Sequence, residues 1–151
     1  MNNIKSNNWI LIVEDSDTDY EATLRAFKNS KMANPMNRCE DGEEALDYLF
    51  RRNQFSDPQT SPRPEMIMLD LNLPGTDGKE VLEEIKKDPH LKSIPVIILT
   101  TSSDSTDIKK CYDAGANSYI VKPVDLIGFF EAIKKLKNFW FEVALLPAKE
   151  F

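Results

Sequence analysis

Cysteine and histidine are scarce in this sequence of 151 residues, which has two cysteines and one histidine. Cys39 and Cys111 do not form a C-x-x-C pair, so the sequence supports neither a disulfide framework nor a zinc site. A reducing, cytoplasmic environment is therefore the expectation. The single histidine, His90, lies in the polar segment KKDPHLKS, and we expect it at the surface without a catalytic role.

The sequence also lacks the features of membrane proteins and of nucleic-acid-binding proteins. No apolar run approaches the roughly 18 residues of a membrane-spanning helix, and the first residues, MNNIKSNNW, lack the apolar centre of a signal peptide. Lys and Arg number 19 against 25 Asp and Glu, which gives a net charge of −6. Without a basic stripe to contact phosphates, we expect protein partners, with no nucleic acid and no membrane.

Short apolar runs alternate with longer amphipathic stretches, which predicts alternating strands and helices. The predicted strands are residues 9–14, 36–40, 65–70, 94–100 and 118–122. The predicted helices begin near Asp17, Asp41, Gly78, Ser105 and Asp125, with Asp41, Ser105 and Asp125 as N-caps. Strict alternation predicts a parallel sheet covered by helices on both faces, a doubly wound α/β fold. The ligand site of such a fold lies outside the carboxyl ends of the strands.

Two stretches lie outside this alternation. Residues 51–64 contain three prolines and are predicted to form a long surface loop. Residues 137–151 form an aromatic C-terminal extension. We expect a single domain over residues 1–151, with its core at about 9–136.

The acidic stretch VEDSDTDY has the spacing of a calcium loop, because Asp15, Asp17 and Asp19 match the first three ligand positions of an EF-hand. The match fails where that loop requires Gly and Glu, since those positions hold Tyr20 and Ala26. It also fails because the stretch follows a predicted strand rather than a helix. We interpret Asp17 and Asp19 as acids at a helix start, where the helix dipole favours negative charge.

Chemically apt residues stand at the carboxyl ends of four predicted strands. Glu14 and Asp15 end the first strand and Asp70 ends the third, so neighbouring strands would bring three carboxylates together. Two unit charges ~4 Å apart repel by about 4 kcal/mol at an effective dielectric of 20, so such a pocket needs a cation, and Mg²⁺ suits carboxylate ligands. Thr100 and Lys122 end the next two strands and can hold phosphoryl oxygens. The pattern predicts a magnesium-dependent phosphoryl site.

These motifs resemble the receiver domain of two-component response regulators. The matching segments, in order, are the acidic pair Glu14-Asp15, LDLNLPGTDG around Asp70, Thr100 with its small or polar neighbours, and YIVKP at 119–123. They extend over about 9–136. The resemblance implies a flavodoxin-like, five-stranded sheet in the order 2-1-3-4-5.

By this resemblance Asp70 is the phosphoacceptor, and it attacks a phosphohistidine supplied by a sensor histidine kinase. The implied metal ligands are the side chains of Asp15 and Asp70, the backbone carbonyl of Asn72, and Glu14, mostly through water. Lys122 and Thr100 contact phosphoryl oxygens. Tyr119 is the switch aromatic, which moves inward behind Thr100 and reshapes the surface of the fourth helix, fifth strand and fifth helix. The bond before Pro123 is expected to be cis.

The proline-rich loop and the tail segment FWFEVALLP resemble the single-domain regulators that pair with cyanobacterial-type phytochrome kinases and tend to form homodimers. Because too few residues follow the fifth helix for a helix-turn-helix, we expect the output to be a changed surface. The candidate interface residues are Phe139, Trp140, Phe141 and Leu145. Their excess of apolar area favours a dimer or a kinase-docking surface, and the alternative is a clasp that completes the core.

Other functions fit parts of the pattern. A phosphatase of the haloacid dehalogenase class would need a second Asp two residues after Asp70 as its general acid, and Asn72 cannot take that role. An FMN carrier would bring a phosphate against Glu14 and Asp15. A receiver that binds a partner without being phosphorylated stays open, although nothing in the sequence favours it. The main expectation is a phosphoacceptor signalling protein that catalyses only its own phosphorylation and dephosphorylation.

Overall fold

A five-stranded parallel sheet forms the centre of the structure, a computed structural model that describes residues 8–31 and 34–143, the last three as backbone alone. The strands are β1 (Ile10–Val13), β2 (Met36–Cys39), β3 (Met66–Leu69), β4 (Val96–Thr100) and β5 (Ser118–Val121). Their order is β2-β1-β3-β4-β5, and every neighbouring pair is parallel. The predicted sheet and its order are confirmed, and each strand lies within its predicted range.

The described residues form five α-helices, as predicted; four of them connect successive strands and the fifth follows β5. They are α1 (Asp17–Asn29), α2 (Gly42–Leu49), α3 (Gly78–Lys87), α4 (Ser105–Asp113) and α5 (Leu126–Lys137). A π-helical turn, Asn138–Val143, continues directly from α5. Among the described residues, none of the helices combines the length and the apolar character that crossing a bilayer requires.

Carboxylates cap the N-termini of α2, α3, α4 and α5. Asp41 and Asp125 accept backbone N–H bonds at the starts of α2 and α5, which confirms two of the predicted caps. The prediction for Ser105 was wrong, because that residue is the first of α4 and Asp104 before it is the cap. The Asp104 carboxylate accepts from two N–H groups of the first turn. Both N–H groups lie within reach of one carboxylate oxygen there, which satisfies two orphan donors at once.

Helices cover both faces of the sheet, and alternate strand residues therefore enter two separate cores. Leu11 and Val13 of β1 pack with α2, α3 and α4, whereas Ile10 and Ile12 pack with α1 and α5. Strands β1, β3 and β4 are buried at every position. This two-sided burial explains why these strands are apolar throughout rather than alternating, and it leaves only the strand ends open to solvent.

The predicted loop at 51–64 contains a short 3₁₀ turn, Asn53–Phe55, and is fixed to α2. The Tyr48 hydroxyl donates to the carbonyl of Pro62 at 2.8 Å, and the Arg63 guanidinium donates to the carbonyl of Leu49 at 2.7 Å. Burial raises the pKa of Tyr48 to about 12, so this hydroxyl stays a donor at neutral pH. The loop is therefore an ordered surface connection to β3.

The prediction of a cis bond before Pro123 was wrong, since every peptide bond in the described part of the chain is trans. The trans form of an X–Pro bond is favoured by about 0.5–1 kcal/mol, so it is adopted unless local contacts reverse the preference. With the trans bond, Lys122 still continues the pairing of β5, because its N–H donates to the carbonyl of Thr100 at 2.6 Å.

Candidate functional site

Three carboxylates meet at the carboxyl edge of the sheet. Val13 of β1 is in register with Leu69 of β3, so the next residues, Glu14 and Asp70, lie side by side. Both are buried, and Asp15 beside them is exposed. One carboxylate oxygen from each of the three residues lies within 4.8 Å of the others. The structure thus brings together the acids that the sequence predicted to converge.

Lys122 extends over these carboxylates from the end of β5. Its Nζ donates to Glu14 Oε1 at 2.8 Å and to Asp70 Oδ2 at 3.3 Å. A third acceptor is Asp19 Oδ2 of α1, at 3.0 Å. Burial lowers the pKa of Lys122, but the bond to Glu14 and the charge of Asp70 outweigh it, so the pKa lies above the usual value for lysine. Lys122 is therefore a permanent cation beside the candidate phosphoacceptor.

Glu14 is the acid most affected by its surroundings. Burial raises its pKa to about 7, with a further upward effect from the charge of Asp70, and the contacts to Lys122 and the Ser16 N–H oppose the rise only in part. A buried carboxylate next to another carboxylate binds a proton readily because one lysine does not balance the local negative charge. A cation bound here would balance this negative charge and favour the ionised form of Glu14.

The donor set fits a hard divalent cation. Glu14, Asp15 and Asp70 offer carboxylate oxygens within reach of one ion, and the exposed position of Asp15 leaves one side open for water or phosphate. Asn72 is close by, because its backbone N–H donates to Asp70 Oδ1 at 3.1 Å. The role of the Asn72 carbonyl as a ligand stays a prediction.

The two candidate switch residues lie on the next strands. Thr100, at the end of β4, is buried, and its hydroxyl is 3.5 Å from Asn72 Nδ2 and 3.5 Å from the Ser102 N–H nitrogen. Tyr119 on β5 is half-buried against the core shared with α2, α3 and α4. Its hydroxyl donates to the Ser102 carbonyl at 2.9 Å. Ser102 thus joins Tyr119 to the strand end that carries Thr100.

The sequence analysis missed the contacts of Asp19 and Arg38. Asp19 was interpreted as a helix-start acid, which is correct for its position, but its carboxylate also contacts Lys122. Arg38 of β2 donates from Nε to the Glu14 carbonyl at 3.0 Å and from its NH1 nitrogen to Asp17 at 2.8 Å, with its guanidinium over the Tyr20 ring. No local pattern in the sequence indicates these contacts, because Arg38 is on β2 whereas Glu14 follows β1 and Asp17 begins α1.

The candidate interface residues are only partly within the described chain. Phe139 is 52% exposed, and Trp140 is half-buried against the core shared by α1 and α5. Their rings meet edge to face with centroids 5.3 Å apart. The side chain of Phe141 and the whole of Leu145 lie outside the described residues. Trp140 fits the clasp alternative, whereas Phe139 leaves half of its surface free for a partner.

The remaining chemistry-bearing residues lie away from this site. His90 is exposed in the turn after α3, as predicted, and its N–H donates to Asp88. Cys39 and Cys111 are buried and free. Burial raises the pKa of the Cys39 thiol, so it stays protonated and chemically inert.

Comparison with known proteins agrees with this geometry. Residues 10–134 match the family model of the response regulator receiver domain. The response regulator Rcp1 of Synechocystis sp. is 40% identical over 139 residues, which are 92% of this chain and 92% of that protein.

Solved structures give the same result. The structure of the phosphorylated cyanobacterial phytochrome response regulator RcpA aligns with this one at a TM-score of 0.88 and 40% identity. The alignment covers 95% of this chain and 100% of the RcpA chain. The Mn²⁺-bound form of Rcp1 aligns with a TM-score of 0.85 at 39% identity, over 93% and 99%. The protein therefore belongs to the response regulator receiver family.

Proposed function

We propose that Asp70 accepts a phosphoryl group from the phosphohistidine of a sensor histidine kinase, in a reaction that requires Mg²⁺. The observation that carries the proposal is that the Asp70 carboxylate accepts from the Lys122 ammonium and has an oxygen within 4.8 Å of oxygens of Glu14 and Asp15. Receiver domains are phosphorylated by such kinases. The chain would supply the acceptor and the charges around it, and the partner would supply the histidine, since His90 is remote from the strand ends.

The chemistry is a transfer between two nucleophiles. An oxygen of Asp70 forms a P–O bond while the P–N bond to the donor imidazole breaks, and the electron pair of that bond stays on the imidazole nitrogen. Asn72 holds Asp70 Oδ1 through its N–H, and Lys122 faces Oδ2, so the carboxylate is fixed before the donor arrives. Lys122 and Thr100 then donate to the phosphoryl oxygens, where the charge is spread in the transition state.

We assign the metal site to Glu14, Asp15 and Asp70 with the Asn72 carbonyl. A bound Mn²⁺ in the related Rcp1 structure supports a divalent cation, and Mg²⁺ suits a site of few carboxylates that shares its ion with a phosphate. When bound, Mg²⁺ neutralises charge on the phosphoryl oxygens and the acids. No other catalysis is proposed for the chain beyond its own phosphorylation and dephosphorylation.

The test is incubation with acetyl phosphate, with and without Mg²⁺, followed by intact mass. We expect one added phosphoryl group in the wild type with Mg²⁺, none after Mg²⁺ is chelated, and none in Asp70→Asn. Asp113→Asn, at the exposed end of α4, removes an equal charge outside the site and should be phosphorylated like the wild type. No added group in the wild type would favour a receiver that acts without phosphorylation, and an added group in Asp70→Asn would exclude Asp70.

We further propose that the output is the surface of α4, β5 and α5, used for a homodimer or for kinase docking. Large apolar side chains are exposed there, namely Tyr112, Val121, Val124, Leu126 and Ile127. Phe139 extends this surface beyond the end of α5. Exposed apolar side chains on neighbouring elements support a protein partner. We expect no partner among nucleic acids or membranes.

Sedimentation of the wild type and of Phe139→Ala/Phe141→Ala tests the dimer. We expect a dimer for the wild type and a shift to monomer for the variant, both before and after phosphorylation. Monomers in both proteins would exclude the dimer and favour the alternative, in which the extension completes the core. The variant should then have a lower thermal stability, because Trp140 would lose its contact with the Phe139 ring.

For the kinase, we propose a phytochrome of the cyanobacterial type. The support is the relationship to RcpA, whose structure is that of a cyanobacterial phytochrome response regulator. Phosphotransfer from a purified phytochrome kinase should be faster than from an unrelated histidine kinase at equal concentration, and equal rates would exclude the pairing. A cytoplasmic location and a single domain over 1–151 stay predictions of the sequence.

A further inference from the structure

Lys122 donates to three carboxylates, and one of them lies outside the proposed reaction. Glu14 and Asp70 belong to the candidate metal and phosphoryl site. Asp19 comes from the first turn of α1, and its Oδ2 is 3.0 Å from Lys122 Nζ, closer than the 3.3 Å of Asp70 Oδ2. An ammonium has three N–H donors, so the contacts to Glu14, Asp19 and Asp70 use all of them.

The direction of the Asp19 side chain is not that of an ordinary helix-start acid. In α3 the third helical residue, Glu80, returns to the cap and accepts from the Asp77 N–H at 3.3 Å. Asp19 holds the same place in α1, because the cap residue Ser16 accepts from its N–H. The Ser16 N–H, however, donates to Glu14 Oε2 at 3.3 Å. The cap of α1 therefore does not need the Asp19 carboxylate, which contacts Lys122 instead.

We propose that Asp19 is a positioning residue that competes with the incoming phosphoryl group for one N–H of Lys122. The proposal rests on the proposed phosphorylation of Asp70. A phosphoryl oxygen can bind Lys122 only if one of its three present acceptors gives up its N–H. Glu14 and Asp70 are both buried and would be costly to leave without a donor, whereas Asp19 is 46% exposed on its side chain and can return to water. Asp19 is the partner that Lys122 leaves.

This arrangement predicts the effect of removing the Asp19 charge. In Asp19→Asn the neutral amide oxygen holds the ammonium more weakly than the carboxylate does, so Lys122 forms its contact with a phosphoryl oxygen at a lower cost in free energy. Pairs that include an exposed carboxylate are weak, so the gain is about two- to five-fold in affinity for a phosphoryl group. A purely structural role has the opposite sign, because loss of a helix-start acid weakens α1 and the site next to it.

The experiment compares the wild type, Asp19→Asn and Glu21→Gln at saturating Mg²⁺. Glu21 is an exposed acid of the same helix that is not among the three acceptors of Lys122, so its variant controls for charge alone. Binding of trifluoroberyllate, an analogue of the phosphoryl group, is followed by ¹⁹F NMR. The rate of phosphorylation by acetyl phosphate is followed by intact mass.

We expect Asp19→Asn to bind the analogue about two- to five-fold more tightly and to be phosphorylated faster by a similar factor, with Glu21→Gln like the wild type. Unchanged or weaker binding in Asp19→Asn would overturn the proposal, as would an equal gain in Glu21→Gln, which would trace the effect to net charge. If the wild type neither binds the analogue nor is phosphorylated, it is the proposed function that fails.

Discussion

Lys122 Nζ and Glu14 Oε1 form a 2.8 Å hydrogen bond across 108 positions of the sequence. The strands that carry them are not neighbours, since β3 and β4 lie between β1 and β5. The long lysine side chain closes this gap at the carboxyl edge of the sheet, where Glu14 would otherwise face Asp70 with no positive charge beside it. This contact thus connects the end of β1 with the end of β5 at the carboxyl edge of the sheet, where a fold of this kind has its ligand site.

The first prediction concerns the proton on Glu14. Its pKa is raised from 4.5 to about 7, so between these values the folded protein keeps a proton that the unfolded chain has lost. The folded state binds more protons there, and the free energy of unfolding of the metal-free protein falls as pH rises through that window. Replacement by Gln removes this fall. Between pH 4.5 and pH 8, the free energy of unfolding of Glu14→Gln should rise relative to that of the wild type by up to about 3 kcal/mol.

Urea unfolding with EDTA at these two pH values measures the difference. Glu21→Gln, an exposed acid on α1, serves as the control and should follow the wild type. A parallel pH dependence in the wild type and in Glu14→Gln would contradict the raised pKa.

The backbone of Gly78 lies against the backbone of Asp70 and Leu71. A Cβ atom at this position would overlap with the Asp70 carbonyl and lie 2.7 Å from Leu71 Cα, both of them backbone atoms that cannot rotate away. Gly78→Ala should therefore cost roughly 1–3 kcal/mol of stability and slow phosphorylation by moving Asp70. Thermal unfolding and intact mass measure the two effects. Glu83→Ala, on the exposed side of α3, is the control, and equal behaviour of both variants would contradict the prediction.

The architecture was predictable because the burial of the strands determines which residues they contain. Strands covered on both faces read as apolar runs, and each predicted strand range contains the observed one. Glu14 and Asp70 could be assigned to one site because parallel neighbours end at the same edge. The N-cap of α4 was harder to predict, because Ser and Asp are both favoured at that position. The observed cap is Asp104 rather than Ser105, which is a difference of one residue in where the helix begins.

The contacts between separate elements were not predictable. Asp19 looked like any helix-start acid, because nothing local in the sequence tells whether its carboxylate returns to the cap or turns to Lys122. Arg38 looked like a polar residue of an edge strand, although its guanidinium holds the Glu14 carbonyl. Such contacts depend on the angles between a helix and a sheet, which the pattern of one chain does not fix.

Lys86 joins three segments at the opposite end of the sheet. Its Nζ donates to the carbonyls of Lys92 and Ile94 at 2.9 Å and to Asn117 Oδ1 at 3.1 Å, and Asn117 Oδ1 also accepts from the N–H of Val96 at the start of β4. Lys86→Met keeps the aliphatic stem and removes the ammonium donor from the carbonyls of Lys92 and Ile94, while Asn117 Oδ1 keeps the Val96 N–H. We expect a loss of about 1–3 kcal/mol in the free energy of unfolding.

The neighbouring Lys87 is exposed in the same helical turn, so Lys87→Met is the matched control and should change stability by less than about 0.5 kcal/mol. Denaturant unfolding of both variants at pH 7 separates them. An equal, small effect would mean that Lys86 is solvated rather than buried among the carbonyls.

Tyr119 and Asp107 hold Ser102 from two sides. The Tyr119 hydroxyl donates to the Ser102 carbonyl at 2.9 Å, and the Ser102 hydroxyl donates to Asp107 Oδ2 at 2.8 Å, while Asp107 Oδ1 pairs with Lys79 of α3 at 2.7 Å. Tyr119→Phe removes one donor and keeps the ring in the core. The loop between β4 and α4 should then loosen, and backbone amides of the first turn of α4 should exchange with deuterium several-fold faster.

Hydrogen exchange of the unphosphorylated protein measures this change, with Tyr112→Phe as the control because Tyr112 is an exposed tyrosine of α4 itself. If the first turn of α4 exchanges equally fast in both variants, Tyr119 does not restrain it. If exchange is faster only in Tyr119→Phe, the Tyr119 hydroxyl restrains the loop between Thr100 and α4 in the unphosphorylated protein. The proposed inward movement of Tyr119 would break that hydrogen bond. The start of α4 would then be the part of the output surface that responds first to phosphorylation of Asp70.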